Sequence, residues 1–179
     1  MNFKAFNTII DVCYNKEALV EQIKQAPKPE RVGDVTLPAD LSDLTFGQLI
    51  MLLSCNGEEA FIKCACELFK IENPEEQNAE QMWGFLMWVQ RDTLAIAKQF
   101  NDCHIEPTQE ELQAGANKMS FGWFGLIDWF ALRMHITHEA AENTLWMVVL
   151  QSLRIDTEKQ RYERRFRLMQ ERRMKARKK

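Results

Sequence analysis

The chain has 179 residues, 46% hydrophobic, 10% aromatic and 27% charged, with a formal net charge of −3. That length and balance fit one globular domain with appendages and exclude a disordered or low-complexity chain. Only seven glycines and five prolines occur, β-branched residues rarely alternate with polar ones, and no apolar run reaches about 18 residues, so helices are favoured over sheets and no membrane span is expected.

The N-terminal MNFKAFNTIIDVCYN is apolar but broken by Asn7 and Asp11, and is too short for a signal peptide. NKEALVEQIKQA then predicts a helix capped by Asn15, with Ala18, Leu19 and Ile23 on one face, ended by Pro27 and Pro29. Residues 28–41 read as an extended linker with one short strand near 32–37. A second helix follows, capped by Ser42 or Thr45, with a stripe of Phe46, Leu49, Ile50 and Leu53; Asn56-Gly57 stops it. The next, over 58–71, repeats the period at Phe61, Cys64, Ala65 and Leu68. Asn73-Pro74-Glu75-Glu76 reads as a turn into a new helix start.

Residues 77–100 carry the longest regular signal. Met82, Phe85, Leu86, Val89, Thr93, Ile96, Ala97 and Phe100 fall on one face, and Trp83, Met87 and Leu94 suggest a second. Thr108 and Glu111 form a capping box opening a short helix that ends near Gly115. The Trp-rich stretch 119–153 follows, holding Trp123, Trp129 and Trp146. From Trp123 to Met134 only Asp128 and Arg133 are charged, so this helix is expected to be buried on nearly all sides. A short helix or turn near 137–143 leads to a last helix from about Thr144 with no stop signal. Its stripe Ile155, Tyr162, Phe166 and Met169 runs into RRMKARKK, and the helix is long enough to overhang a body of this size or lie across a partner.

The expected fold class is thus all-α: a single compact multi-helix domain with a long basic C-terminal helix extending from the body. Three segments are expected: 1–40, an N-terminal helical segment with a proline-containing linker; 41–153, the helical core domain; and 154–179, the basic tail. The tail holds twelve basic and four acidic side chains, a net of +8, leaving residues 1–153 at −11. Cys13, Cys55, Cys64, Cys66 and Cys103 are odd in number and read as reduced core cysteines of a cytosolic protein.

Candidate chemistry is thin. Cys103, His104, His135 and His138 raise a zinc site, but the paired short spacings of structural zinc are missing, so no metal is expected. Glu75/Glu76 and Glu110/Glu111 sit at helix starts, where the macrodipole accounts for them. Asp128, alone among aromatics, is the best candidate for a perturbed acid and reads as a polar edge or an ion pair with an arginine such as Arg133 or Arg154. No phosphate loop or nucleophile elbow appears, so neither enzyme activity nor a cofactor is expected. Residues 129–143 can be read as helix-turn-helix, but the second helix would offer Glu139 and Glu142 to phosphate, which disfavours sequence-specific DNA reading. The basic tail has three readings: a solvated helix end, a non-specific phosphate contact, or a dock on an acidic protein surface, including a neighbouring copy.

Several segments in order resemble the tail assembly chaperones of tailed bacteriophages, small helical proteins made between the tail-tube and tape-measure genes. They are LTFGQLI from Leu44, EEAFI from Glu58, PTQEELQAG from Pro107, FGWFGLID from Phe121 and EKQRYERR from Glu158, together covering most of residues 41–168. The resemblance implies a non-enzymatic protein of the infected host's cytoplasm or the virion that binds the tape-measure protein and helps tail-tube subunits polymerise. Trp123, Phe124, Trp129, Tyr162, Phe166 and Met169 would then carry apolar binding. Arg161, Arg164, Arg165, Arg172 and Arg173 would give steering and salt sensitivity. The alternative is a structural virion or DNA-packaging component whose basic tail contacts nucleic acid or a neighbouring subunit.

Overall fold

Side-chain caps start several helices in the computed structural model, which describes residues 1–12, 17, 21, 23, 25–119 and 121–177. Among these, the elements are α1 (Phe3–Val12), β1 (Arg31–Val32), β2 (Val35–Thr36), α2 (Phe46–Leu53), α3 (Glu58–Phe69), α4 (Ala79–Asn101), α5 (Gln109–Gln113), α6 (Gly122–Met134), α7 (His138–Glu142) and α8 (Trp146–Arg177). The chain is therefore helical, with one two-stranded hairpin. It divides into two compact units, Met1–Ala97 and Lys98–Lys179. The helix expected over 15–26 lies largely outside the described residues.

In the first unit, Asn2 Oδ1 accepts from the Ala5 N–H at 2.9 Å and opens α1. Where one strand was expected, Val32 and Val35 pair antiparallel, joined through Gly33 at φ +56. A two-residue hairpin asks for a positive φ of this kind, which glycine adopts without a Cβ penalty. Thr45 caps α2 in a full capping box with Gln48. Its buried stripe is Phe46, Leu49 and Leu52, with Ile50 and Leu53 only half-buried. In α3 the buried pair is Ala65 and Cys66, a rotation from the expected face that leaves Phe61, Cys64 and Leu68 half-buried. Pro74 opens a single 3-10 turn, and the next helix waits for Asn78, whose side chain accepts from Glu80 and Gln81 N–H groups.

Helix α4 buries most of the face its sequence period predicts: Met82, Phe85, Leu86, Val89, Thr93, Ile96 and Phe100 are buried, and Ala97 is half-buried. Of the second face, Trp83 and Met87 are half-buried and Leu94 is exposed. Phe69 meets Phe85 and Trp88 edge-on, with centroids 5.3 and 5.7 Å apart. Each large ring removed from water contributes roughly 1.5–3 kcal/mol. Lys28 places its ammonium 4.3 Å from the Trp88 ring while donating to the Ala39 carbonyl at 2.7 Å.

In the second unit the buried side chains include Phe100, Cys103, Ile127, Phe130, Ala131, Ala141, Trp146, Val149 and Leu150. The Trp-rich helix α6 is not enclosed on nearly all sides, as its composition suggested. It buries Ile127, Phe130 and Ala131, while Phe124 and Leu132 are 60% and 67% exposed. Its aromatic residues surround the helix, so no face stood out from the sequence. His135 takes φ +56 and ends α6; Thr137 then caps α7, its hydroxyl accepting from the Ala140 N–H at 3.2 Å.

Candidate functional site

Helix α8 has two chemically distinct faces, and its 32 residues span about 48 Å at 1.5 Å per residue. Along one face Arg154, Thr157, Arg161 and Arg164 recur at helical spacing and grip the segment before and within α5. Arg154 donates to Gln99 Oε1 at 2.9 Å, and the Thr157 hydroxyl to the Cys103 carbonyl at 3.1 Å. Arg161 donates to the Asp102 carbonyl at 3.1 Å and Arg164 to the Glu106 carbonyl at 2.8 Å. Arg164 also lies 3.7 Å from Glu111.

Glu111 closes the capping box predicted at Thr108: its carboxylate accepts from the Thr108 N–H at 2.6 Å, and the Glu111 N–H donates to the Thr108 hydroxyl at 3.2 Å. Those bonds with Thr108, and then the arginines of α8, hold the Glu111 carboxyl below its ordinary pKa.

At 100° per residue, the apolar stripe Ile155, Tyr162, Phe166 and Met169 lies roughly 130° around α8 from the gripping face. All four are exposed. The Tyr162 and Phe166 rings stack at 6.1 Å and 15°, giving a continuous aromatic surface one turn long. Beyond Arg164 every described residue is exposed, Arg165, Arg172 and Arg173 among them. Of the residues expected to bind a partner, Arg161 and Arg164 therefore hold α8 in place, whereas Tyr162, Phe166, Met169, Arg165, Arg172 and Arg173 face outward.

The Trp-rich region divides in the same way. Trp123 is half-buried, edge-on to Phe100 with centroids 5.8 Å apart. Trp129 is half-buried against Phe130, with the Arg133 guanidinium 5.8 Å from its ring centroid. Phe124 alone of the three turns outward, its ring edge-on to His138 at 5.4 Å.

Asp128 does not pair with Arg133 or Arg154. It meets His138 Nε2 at 3.0 Å, while Arg133 pairs with Asp156 on α8. The reversal at His135 brings α7 back beside α6, a juxtaposition that linear spacing does not reveal. Beside this pair a hollow of about 310 Å³ is lined by Leu132, His135, Ile136 and His138. Among the described residues no group of three metal-ligating side chains occurs; the raised zinc quartet is not brought together.

The first unit holds a feature that sequence reasoning missed: a groove of about 840 Å³ with Leu52, Leu53, Phe61, Ile62, Leu86 and Met87 in its wall. Asn7, Trp83 and Thr93 also line it, and Asn7 Oδ1, Trp83 Nε1 and Thr93 Oγ1 are buried without hydrogen-bond partners among the described residues. The one signal available was the mixed second face of α4, where Trp83 and Met87 stand beside an otherwise regular stripe. On α3, burial pushes the Cys66 thiol up to about 11, so it is inert rather than nucleophilic. Compared with known protein families, curated proteins and solved structures, the chain finds no match.

Proposed function

We propose that this chain is a non-enzymatic phage assembly protein, a tail assembly chaperone that binds the tape-measure protein and tail-tube subunits. The observation that carries the reading is the outward apolar stripe of α8, held in register by arginines on the other side of the same helix. A helix presented in this way receives an amphipathic partner helix along its length. Tyr162, Phe166 and Met169 supply the apolar contact, Phe124 supplies a further exposed ring, and Arg165, Arg172 and Arg173 steer acidic partners. The choice of partner rests on the resemblance of the ordered segments to tail assembly chaperones. The test is co-expression with a tape-measure fragment that is insoluble alone. Soluble, co-purifying fragment is expected with the natural chain, and loss of it with Tyr162→Ser/Phe166→Ser/Met169→Ser. A fragment equally insoluble with or without the chain overturns the reading.

A second reading has its own support. Residues 165–177 are wholly exposed and carry six basic side chains against one acidic, the composition of a phosphate-contacting arm in a virion or DNA-packaging component. Nucleic-acid affinity that falls steeply with salt, and disappears on deletion of 172–179, selects this reading.

A further inference from the structure

The second unit carries two exposed surfaces of opposite charge on one chain. The first is the patch formed by α6 and α7. Phe124 touches His138, His138 borders the hollow with Leu132 and Ile136, and all four are exposed. The same hairpin carries Asp128, which meets His138 at 3.0 Å, and the exposed acids Glu139 and Glu142 on α7. The only basic residue of this hairpin, Arg133, is already engaged by Asp156. The second surface is the arm, residues 165–177, in which Phe166, Met169 and Arg173 continue one face and Arg165 and Arg172 flank it.

The arm cannot reach the patch of its own chain. Helix α8 begins at Trp146, four residues after α7 ends, and runs unbroken to Arg177. Arg133 of the hairpin pairs with Asp156, and Phe166 lies ten residues, about 15 Å, further along the same axis. Bringing it back would require breaking the helix. Only another molecule can supply an arm to the patch. Like charge also excludes arm against arm, because each arm has a net charge of about +5 and two of them side by side repel.

From these surfaces we infer that copies of this chain associate head to tail, the arm of one seating on the α6–α7 patch of the next. Phe166 and Met169 cover Phe124, Leu132 and Ile136, and Arg165, Arg172 and Arg173 face Asp128, Glu139 and Glu142. The two surfaces differ, so the contact is heterologous and leaves a free patch at one end and a free arm at the other. A dozen helical residues bury less than the roughly 1,200–2,000 Å² of a stable interface, so association is concentration-dependent, and its charged rim makes it weaken with salt. The inference concerns the chain by itself: it uses residues that the tape-measure reading also assigns to binding, and sedimentation of the purified chain reads it with no such partner present.

The test is sedimentation velocity of the purified full-length chain over a concentration series, at low and high salt. At low salt the average mass is expected to climb past that of a dimer without a plateau, and to fall back as salt rises. Two variants at exposed positions break one surface each: Arg165→Glu/Arg172→Glu/Arg173→Glu on the arm, and Leu132→Ser/Glu139→Gln/Glu142→Gln on the patch, the second left uncharged so that the acidic arm gains no partner in it. Circular dichroism checks that both keep their helix content. Each alone is expected to stay monomeric. An equimolar mixture is expected to form particles of twice the monomer mass and no larger, since one intact arm meets one intact patch and both remaining ends are dead. A chain that stays monomeric throughout the low-salt series, a closed dimer that never grows, or variants that fail to pair when mixed would overturn the inference.

Discussion

Replacing Thr157 by valine tests the orientation of α8, on which both binding surfaces depend. Thr157 is 5% exposed, and its hydroxyl donates to the Cys103 carbonyl at 3.1 Å. Valine keeps the shape and the helix propensity but leaves that carbonyl facing a methyl group with no water to replace the donor. An unsatisfied buried polar group costs about 1–3 kcal/mol, offset by up to about 0.8 kcal/mol for the added methyl. The expected loss is about 1–2 kcal/mol. With a urea slope near 2 kcal/mol per molar, the unfolding midpoint falls by about 0.5–1 M. The outward Tyr162→Ala, measured alongside, should stay within about 0.5 kcal/mol of the natural chain because its ring is exposed. Hydrogen exchange at residues 102–106 locates the effect. If Thr157→Val is neutral and Tyr162→Ala destabilises, the two faces of α8 have been assigned the wrong way round and the stripe is a core.

Three further predictions follow from the packing. Gly84→Ala places a Cβ 2.5 Å from the Pro27 carbonyl oxygen, a backbone atom that cannot swing aside, so a loss of about 1–3 kcal/mol by urea unfolding is expected; a stable alanine variant refutes that close approach. Thr108→Ala removes the cap of α5 and should cost about 1 kcal/mol, read as faster exchange at the Glu110 and Glu111 amides. Because the Glu111 pKa is depressed in the folded state, its contribution is present above the ordinary carboxyl pKa and is lost as pH falls below it, so acid should loosen α5 in the natural chain and, since the Thr108 N–H survives the substitution, in Thr108→Ala as well, whereas Glu111→Gln should remove the response. Cys66, raised from 9.0 to about 11, should be alkylated about 100-fold more slowly at neutral pH than after unfolding. Its raised pKa also means that stability falls as pH climbs from about 9 to about 11, and equal alkylation of folded and unfolded chain would show that Cys66 is not buried as described.

Features written in local chemistry were legible before any coordinates. The capping box at Thr108/Glu111 depends on four consecutive residues, is legible as such and forms; for α2 the sequence offers Ser42 or Thr45, and Thr45 caps it with Gln48. The long stripe of α4 was equally plain, because only one face of that helix is uniformly apolar. Helix α6 defeated the same reasoning: with aromatics all round, periodicity carries no direction, and only the neighbours decide that Ile127 and Phe130 go in while Phe124 and Leu132 go out. The Asp128–His138 pair was hidden because it depends on the reversal at His135. The gripping face of α8 stood in the sequence as Arg154, Thr157, Arg161 and Arg164 at helical spacing. What hid it is that its partners are mostly main-chain carbonyls, which every residue possesses. The groove of the first unit left almost no trace, since its wall draws on four separate helices.

That last property of α8 has a consequence for how the two sides of the clasp tolerate change. Thr157, Arg161 and Arg164 recognise the path of the chain at Cys103, Asp102 and Glu106, not the side chains there. The receiving loop is therefore free to alter its residues so long as it keeps its course, whereas the donors on the helix have no such latitude. A saturation scan should return a lopsided map, permissive at 102 and 106 and restrictive at 157, 161 and 164.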